Sequence, residues 1–349
     1  MHGKRKNKLK RILWLGLSTI VLLAAASLYG FYYLVLKPNL TLSGSAHFYI
    51  PTGSSFEDVL TSMTSTNLLK NKATFKWMAE RKNYHNRVIP GRYLLKENMG
   101  NNALVNLLRS GRQDPVRLTF NNIRDKQQLA SIVSASLEAD SASIMELFRD
   151  EGYLLGFGMV PETAILLFIP NTYEVYWNTP ASQLFERMHR EYKRFWNESR
   201  IELAVNAGLT PVETMILASI VQRETTRTDE MPRIAGVYIN RLRRNMLLQA
   251  DPTVVYAVGD YSIRRVLYSH LAIDSPYNTY KYPGLPPGPI GLPEPYVTDH
   301  VLNFERHDYL FFCARDDFSG YHAFARTHSE HLVNARRFHR ALNQRNIMR

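Results

Sequence analysis

Pro211-Val-Glu-Thr-Met-Ile-Leu-Ala-Ser-Ile-Val-Gln-Arg-Glu-Thr225 is the stretch on which the reading of this chain turns. Pro211 suits a first helical turn, and Met215, Ile216, Leu217, Ile220 and Val221 recur with a helical period. Glu224 continues that apolar stripe, one turn beyond Ile220 and Val221, while Gln222 and Arg223 lie off it. A carboxylate on the apolar side of a helix is partly desolvated. Desolvation disfavours its charged form and raises its pKa, which is what a general acid near neutral pH requires. Ion pairs also place carboxylates on helices, and Arg227 offers such a partner, so pattern alone leaves both readings open.

Downstream, Pro232 is expected to start another helix capped by Asp229 or Glu230. Ile234, Val237, Ile239 and Leu242 would pack, with Arg241, Arg243 and Arg244 on other faces. Asp251-Pro252 reads as an N-cap and first turn of a short helix ending at Gly259. From Ser275 to Pro295 seven prolines alternate with Gly284, Gly288 and Gly291, a shaped loop that cannot be a regular helix or a central strand. Tyr277, Asn278, Tyr280 and Tyr282 suit a sugar-binding groove, where aromatic faces and amides meet rings and hydroxyls; tyrosines buried against a structural crossover would look the same. Tyr309–Ala314 and Tyr321–Ala325 read as strands, and Thr327 with Glu330 as the capping box of a last helix. His322 on the second strand faces either a groove or the core. His328 and His331 stand one turn apart without a further ligand set, so neither a metal nor a cofactor is expected.

Upstream, Phe48 and Ile50 belong to a strand stopped by Pro51-Thr52-Gly53. Phe56, Val59, Leu60 and Met63 then form one face of a helix capped by Ser54 or Ser55, and a second helix comes after Asn71. Val88 to Leu95 is extended and Ala103 to Leu108 helical until Gly111, which closes a small α+β module. Val116, Leu118 and Phe120 alternate as a strand, with helices expected at Lys126–Leu137 and Ala142–Phe148. Ala164–Ile169 reads as a buried strand or a groove-lining loop, and Pro180–Arg200 as one long amphipathic helix.

At the N-terminus, Ile12 to Leu36 carries no charged side chain, a run longer than the ~20 residues that cross a bilayer as a helix. Six of the chain's net +12 charges come from Lys4, Arg5, Lys6, Lys8, Lys10 and Arg11, so the remainder of the 349 residues is only mildly basic. That cluster keeps the N-terminus cytoplasmic by the positive-inside rule and exports the chain beyond Lys37, and acidic lipid head groups rather than nucleic acid are its neighbours. Ala24-Ala25-Ala26-Ser27 offers the alternative of a cleaved signal peptide, but Tyr29, Phe31, Tyr32 and Tyr33 extend the apolar run with interfacial aromatics and favour an uncleaved anchor. Cys313 is the only cysteine, which rules out an intramolecular disulfide.

The motifs now in view resemble the YceG-like endolytic murein transglycosylase family. They are Leu217-Ala-Ser-Ile-Val-Gln-Arg-Glu-Thr225, Val237-Tyr-Ile-Asn-Arg-Leu242, Leu248-Gln-Ala-Asp-Pro-Thr-Val254, Tyr277-Asn-Thr-Tyr280, Gly284-Leu-Pro-Pro-Gly-Pro-Ile290 and Gly320-Tyr-His-Ala-Phe324, preceded by Pro170-Asn-Thr-Tyr-Glu174. The resemblance implies an α+β protein with a cytoplasmic tail (1–11), a transmembrane helix (12–36), a linker (37–45), a LysM-like module (46–113) and a mixed α+β catalytic domain (114–349), whose connecting part spans 114–200 and core 201–349. It implies Glu224 as the catalytic acid/base, and Gln249, Asp251, Tyr277, Asn278, Tyr280 and His322 as substrate-binding residues. Many relatives carry a second glutamate where this chain has Gln222, which leaves Glu224 the sole carboxylate of that motif. Gly291-Leu-Pro-Glu-Pro295 and the stretch between Arg315 and Gly320 depart from the pattern. The implied reaction cleaves nascent peptidoglycan strands outside the cytoplasmic membrane without adding water, leaving 1,6-anhydro-muramic ends. The implied partners are glycan strands, the cytoplasmic membrane and peptidoglycan synthases. A hydrolytic muramidase using Asp229, Glu230 or Asp251 as second carboxylate, and a non-catalytic wall tether, are the rival expectations.

Overall fold

The structure is a computed structural model and describes residues 2–263 and 265–345, with side chains from residue 7 onward. Lys4, Arg5 and Lys6 of the basic cluster therefore have side chains outside the described residues. The chain is a mixed α+β protein divided into two compact units, residues 1–116 with 174–178, and residues 117–173 with 179–349. Among the described residues its strands form three two-stranded sheets.

In the first unit, α1 (His2–Phe31) runs on through a π-helical turn at Tyr32–Leu36. Leu13, Trp14, Leu15, Leu22, Leu23 and their neighbours are all exposed, so the protein buries none of the apolar side chains of α1, and the helix Asn7–Leu36 is long and apolar enough to cross a membrane. β1 (Ser45–Ile50) pairs antiparallel with β2 (Gly91–Lys96), register Phe48 to Tyr93. Between them lie α2 (Phe56–Ser65), which opens on a Ser55–Asp58 capping box, and α3 (Lys72–Arg81), capped by Asn71. α4 (Asn101–Ser110) comes next and ends on Gly111, whose φ of 66° is the left-handed conformation glycine adopts without penalty. The buried faces of β1, α2, α3, β2 and α4 form one core around Ile50, Leu60, Met63, Phe75, Tyr93 and Leu104. Asn39, 4% exposed, ties the linker to it: its amide donates to Asn71 O (2.9 Å) and Asn101 Oδ1 (2.6 Å), and its carbonyl accepts from Asn71 N (2.8 Å).

The second unit contains α5 (Lys126–Ser136), α6 (Ser141–Leu147) and α7 (Glu151–Leu155). β3 (Val116–Phe120) pairs with β4 (Asn171–Val175), and the Thr119 and Thr172 hydroxyls meet at 2.9 Å. The continuous apolar run before β4 is a buried 3-10 turn, Ala164–Leu167, rather than a strand. The long helix expected over Pro180–Arg200 is in fact two: α8 (Ala181–Phe195) ends at Trp196, and Asn197 accepts from Arg200 N to start α9 (Glu198–Ala207).

α10 (Pro211–Glu224) is the hub of this unit, packed against α9, α11 (Met231–Arg243), α12 (Asp251–Val258) and α14 (Pro295–Leu302). Every residue from Thr214 to Val221 is buried, more than the one-sided stripe of its sequence requires, because neighbours cover all its faces. α13 (Tyr268–Leu271) precedes the proline-rich loop. α10 pins that loop: Ser219 Oγ accepts from Ile290 N (3.1 Å) and Gln222 Oε1 from Glu294 N (2.7 Å). Gly288 is needed there, since a Cβ would stand 2.4 Å from Glu162 O and 2.8 Å from Tyr277 Oη. Gly288→Ala should therefore cost about 1–3 kcal/mol by overpacking, read as a lower denaturant midpoint at unchanged slope. β5 (Phe311–Ala314) and β6 (His322–Ala325) pair antiparallel, and α15 (His328–Gln344) opens on the Thr327–Glu330 capping box.

Candidate active site

Glu224 is the last residue of α10. Its Oε1 accepts a hydrogen bond from Tyr238 Oη at 2.5 Å, and Tyr238 is only 1% exposed. The carboxyl's pKa is pushed up to about 7. Burial is the main cause and the nearby Asp251 carboxylate adds to it, against the opposing pull of the Tyr238 hydroxyl and the Arg241 guanidinium. Standing at the carbonyl end of α10 acts in the same sense. Arg227 is not its partner: that guanidinium donates to Ser319 O and lies over the Tyr321 ring, 4.8 Å from the centroid.

Two clefts meet at Glu224 and Asp251, which line both. One, of about 380 Å³, is walled by Arg124, Arg223, Tyr256, Tyr261 and Arg265. The other, of about 460 Å³, is walled by Tyr238, Arg241, Gln249, Tyr280, Phe312 and His322. Glu224 thus faces space on two sides.

Asp251 does not cap α12; it is the first residue of that helix, and its Oδ1 accepts from Tyr280 Oη at 2.5 Å. Gln249 adopts a left-handed φ of 49°, with its backbone N–H donating to Thr279 O (3.1 Å) and its side-chain carbonyl 3.4 Å from Arg241 Nη1. His322 is held by a buried carboxylate: Glu230, 4% exposed, accepts from His322 N (2.9 Å) and meets its Nδ1 at 2.7 Å. Among the expected substrate-binding residues, Gln249, Asp251, Tyr280 and His322 come together around Glu224.

Tyr277 and Asn278 do not join them. Tyr277 packs on Tyr256, centroids 4.8 Å apart, and on the core. Asn278 is fully buried, and its amide serves Leu271 O (3.0 Å), Ile273 O (2.8 Å) and Tyr280 N (3.0 Å), which leaves it shaping the loop that presents Tyr280.

Sequence reasoning missed the roles of five residues. Glu230 does hold the N-cap position of α11, after a 3-10 turn at Thr228–Glu230, but its carboxylate makes no capping bond and turns inward to His322. Tyr238 gives no signal by residue type, although it stands one turn from Arg241 on the same helix. Arg241, expected on an outer face, is 7% exposed, and its guanidinium donates to Leu310 O (2.6 Å), Leu248 O (2.8 Å) and Leu247 O (3.2 Å). The cationic wall of the first cleft, Arg124 with Tyr261, comes from segments far from the motif and left no local signal.

The Tyr238 hydroxyl bonds the ionised carboxylate and so lowers Glu224's pKa against burial. Tyr238→Phe should therefore raise that pKa further, and the alkaline limb of the pH–rate profile of kcat/KM should move upward from the neighbourhood of 7. A limb that stayed in place or moved down would separate Tyr238 from the titration of Glu224.

Residues 48–337 match the model of the YceG-like family. Over 301 residues, 81% of each chain, the sequence is 28% identical to a Bacillus subtilis (strain 168) protein named endolytic murein transglycosylase. A protein of the same name from Streptococcus pneumoniae is 28% identical over 344 residues, 84% of this chain and 59% of the relative. The crystal structure of a yceG-like protein from Listeria monocytogenes superposes with a TM-score of 0.54 at 27% identity, covering 83% of this chain and 99% of that one.

Proposed function

The chain belongs to the YceG-like family, and on that footing we propose that it is an endolytic murein transglycosylase, a lyase of peptidoglycan, with Glu224 as its acid/base. The observation that carries this is the state of Glu224: a carboxyl with pKa about 7, bonded to Tyr238, where two clefts meet. In the protonated form Glu224 donates to the oxygen that links C1 of N-acetylmuramic acid to C4 of N-acetylglucosamine, and the C1–O bond breaks. The muramic C6 hydroxyl closes on C1 and gives its proton to Glu224, which regenerates the acid. One C–O bond replaces another, no water is added, and the new end is a 1,6-anhydro sugar.

One carboxyl suffices for both proton transfers, whereas hydrolysis usually employs a second as base or nucleophile. Asp251 is placed for that second role, and a product heavier by one water would assign it. Its carboxylate is instead engaged by Tyr280, an arrangement that suits a fixed negative charge beside a developing oxocarbenium ion.

On this reading the exposed apolar helix anchors the protein in the cytoplasmic membrane with the N-terminus inside, and residues 114–349 form the catalytic domain outside. The strand–helix–helix–strand order of β1, α2, α3 and β2 supports a LysM-like module over residues 46–113. A tethered enzyme reaches only nearby strands, which fits cutting nascent glycan close to the synthases that extend it. Digestion of purified long strands tests the endolytic part. Fragments of many disaccharides should appear from the first time points; release of single disaccharides from strand ends alone would refute it.

A further inference from the structure

The cleft on the Arg223 side of Glu224 carries charge that the cleavage step does not use. Arg124, Arg223 and Arg265 converge on one concavity. Arg124 lies over the Tyr261 ring, 4.4 Å from its centroid. Arg223 lies along the backbone at Gly291, where a Cβ would come within 3.2 Å of its Nη2. None of the three has a carboxylate partner among the described residues, whereas Arg92, Arg187, Arg194, Arg200, Arg233 and Arg315 all do.

The acidic groups facing the same space do not balance them. Asp251, bonded to Tyr280, brings one negative charge to this cleft, while Glu224 must be protonated to act as an acid. Asp125, beside Arg124 and capping α5 through Gln128 N, brings the second, which leaves three guanidinium charges against two carboxylates. Arginine forks aimed into a cavity in excess of their counter-ions are the usual receptor for carboxylate or phosphate. A merely solvated basic face would instead be convex, with its charges spread apart.

We propose that Arg124, Arg223 and Arg265 form an anion subsite that seats an acidic substituent of the glycan strand while Glu224 faces the bond to be cut. The inference rests on the glycan-cleaving function proposed above. Two parts of a nascent strand supply the chemistry: the carboxylates of its stem peptides, and the pyrophosphate of a lipid-linked strand end. Bound on one side of Glu224, either would fix the register of the strand and with it the bond that is cleaved.

The test uses the full chain in detergent as Glu224→Gln, so that strands are bound and not consumed. The probes are stem-bearing strands, the same strands with every carboxylate converted to an amide, and amidated strands that end in lipid pyrophosphate. One acid-bearing probe should bind about tenfold or more tightly than the amidated reference, and adding Arg124→Gln and Arg265→Gln should erase that preference. Lysine at both positions should restore part of it, which separates charge from fold. Preference for stem-bearing strands assigns the subsite to peptide carboxylates, and preference for pyrophosphate-ended strands assigns it to phosphate. Equal affinity for all three probes, or a preference that survives both glutamines, overturns the proposal. Wild-type digestion of the same strands runs beside it: no cleavage there would refute the enzymatic reading while leaving the binding ratios to judge the subsite.

Discussion

Glu224→Gln is expected to lower glycan cleavage by roughly 100- to 10,000-fold, the contribution of a positioned general acid/base. The change removes the proton and little else, because the amide oxygen of glutamine can still accept from Tyr238 Oη. Loss of activity through misfolding is separable by its sign. The folded-state pKa of about 7 lies above the ordinary glutamate value of 4.5, so ionising Glu224 costs the native state stability as pH rises from the unfolded value through the folded one. Glutamine has no such cost. The variant should therefore match wild type at pH 4 and exceed it at pH 8, by about 3 kcal/mol at most. Urea melts at the two pH values read this directly. A variant that is less stable at pH 8 would show that Glu224 is held as a structural ion.

Arg241→Met is expected to cause the largest loss of stability, about 3–5 kcal/mol, since it removes the partner of several carbonyls inside a packed unit. The guanidinium ties the backbone at Leu310, at the start of the β5–β6 hairpin, to Leu247 and Leu248, just before Gln249 and Asp251. It also lies over the Phe311 ring, 5.2 Å from the centroid. Methionine fills the stem volume but leaves those carbonyls without a donor. Binding of glycan should weaken with stability, because the loop that carries Gln249 and Asp251 loses its anchor. A denaturant midpoint within the error of wild type would mean that water replaces the guanidinium and that Arg241 is not structural.

Local chemistry explains which parts were legible in the sequence. The stripe ending at Glu224, the cap at Ser54 or Ser55, the capping box at Thr327, and the glycines that close α4 and α12 are decided within a turn or two of chain, and the structure has each of them, with Ser55 as the cap. The α+β class comes from these. What could not be read depends on partners distant in sequence. A helical arginine looks solvent-facing until Leu310 O and Leu248 O arrive to receive it, and Glu230 looks like a cap until His322, on a strand far along the chain, takes its carboxylate. Asn278 carried the right chemistry for a sugar but is consumed by its own loop. Within the proline-rich segment the residues that matter for the site were recognisable by type, and only the hydrogen-bond accounting divided Tyr280, which meets Asp251, from its neighbours.

Gln222 bears on the mechanism as well as the fold. Its side-chain carbonyl holds Glu294 N, and Glu294 in turn receives Asn122 N at 3.0 Å, so the position serves to fasten the end of the proline-rich loop to α10. With Gln222 engaged in that way, Glu224 is the sole carboxylate of its motif, and in the proposed mechanism that single carboxyl both gives and takes the proton. Mass spectrometry of the fragments that wild type releases from purified glycan tests this most directly. Muramic ends lighter by one water than reducing ends, in the 1,6-anhydro form, are expected; reducing ends alone would show that water is the acceptor and contradict the single-carboxyl mechanism.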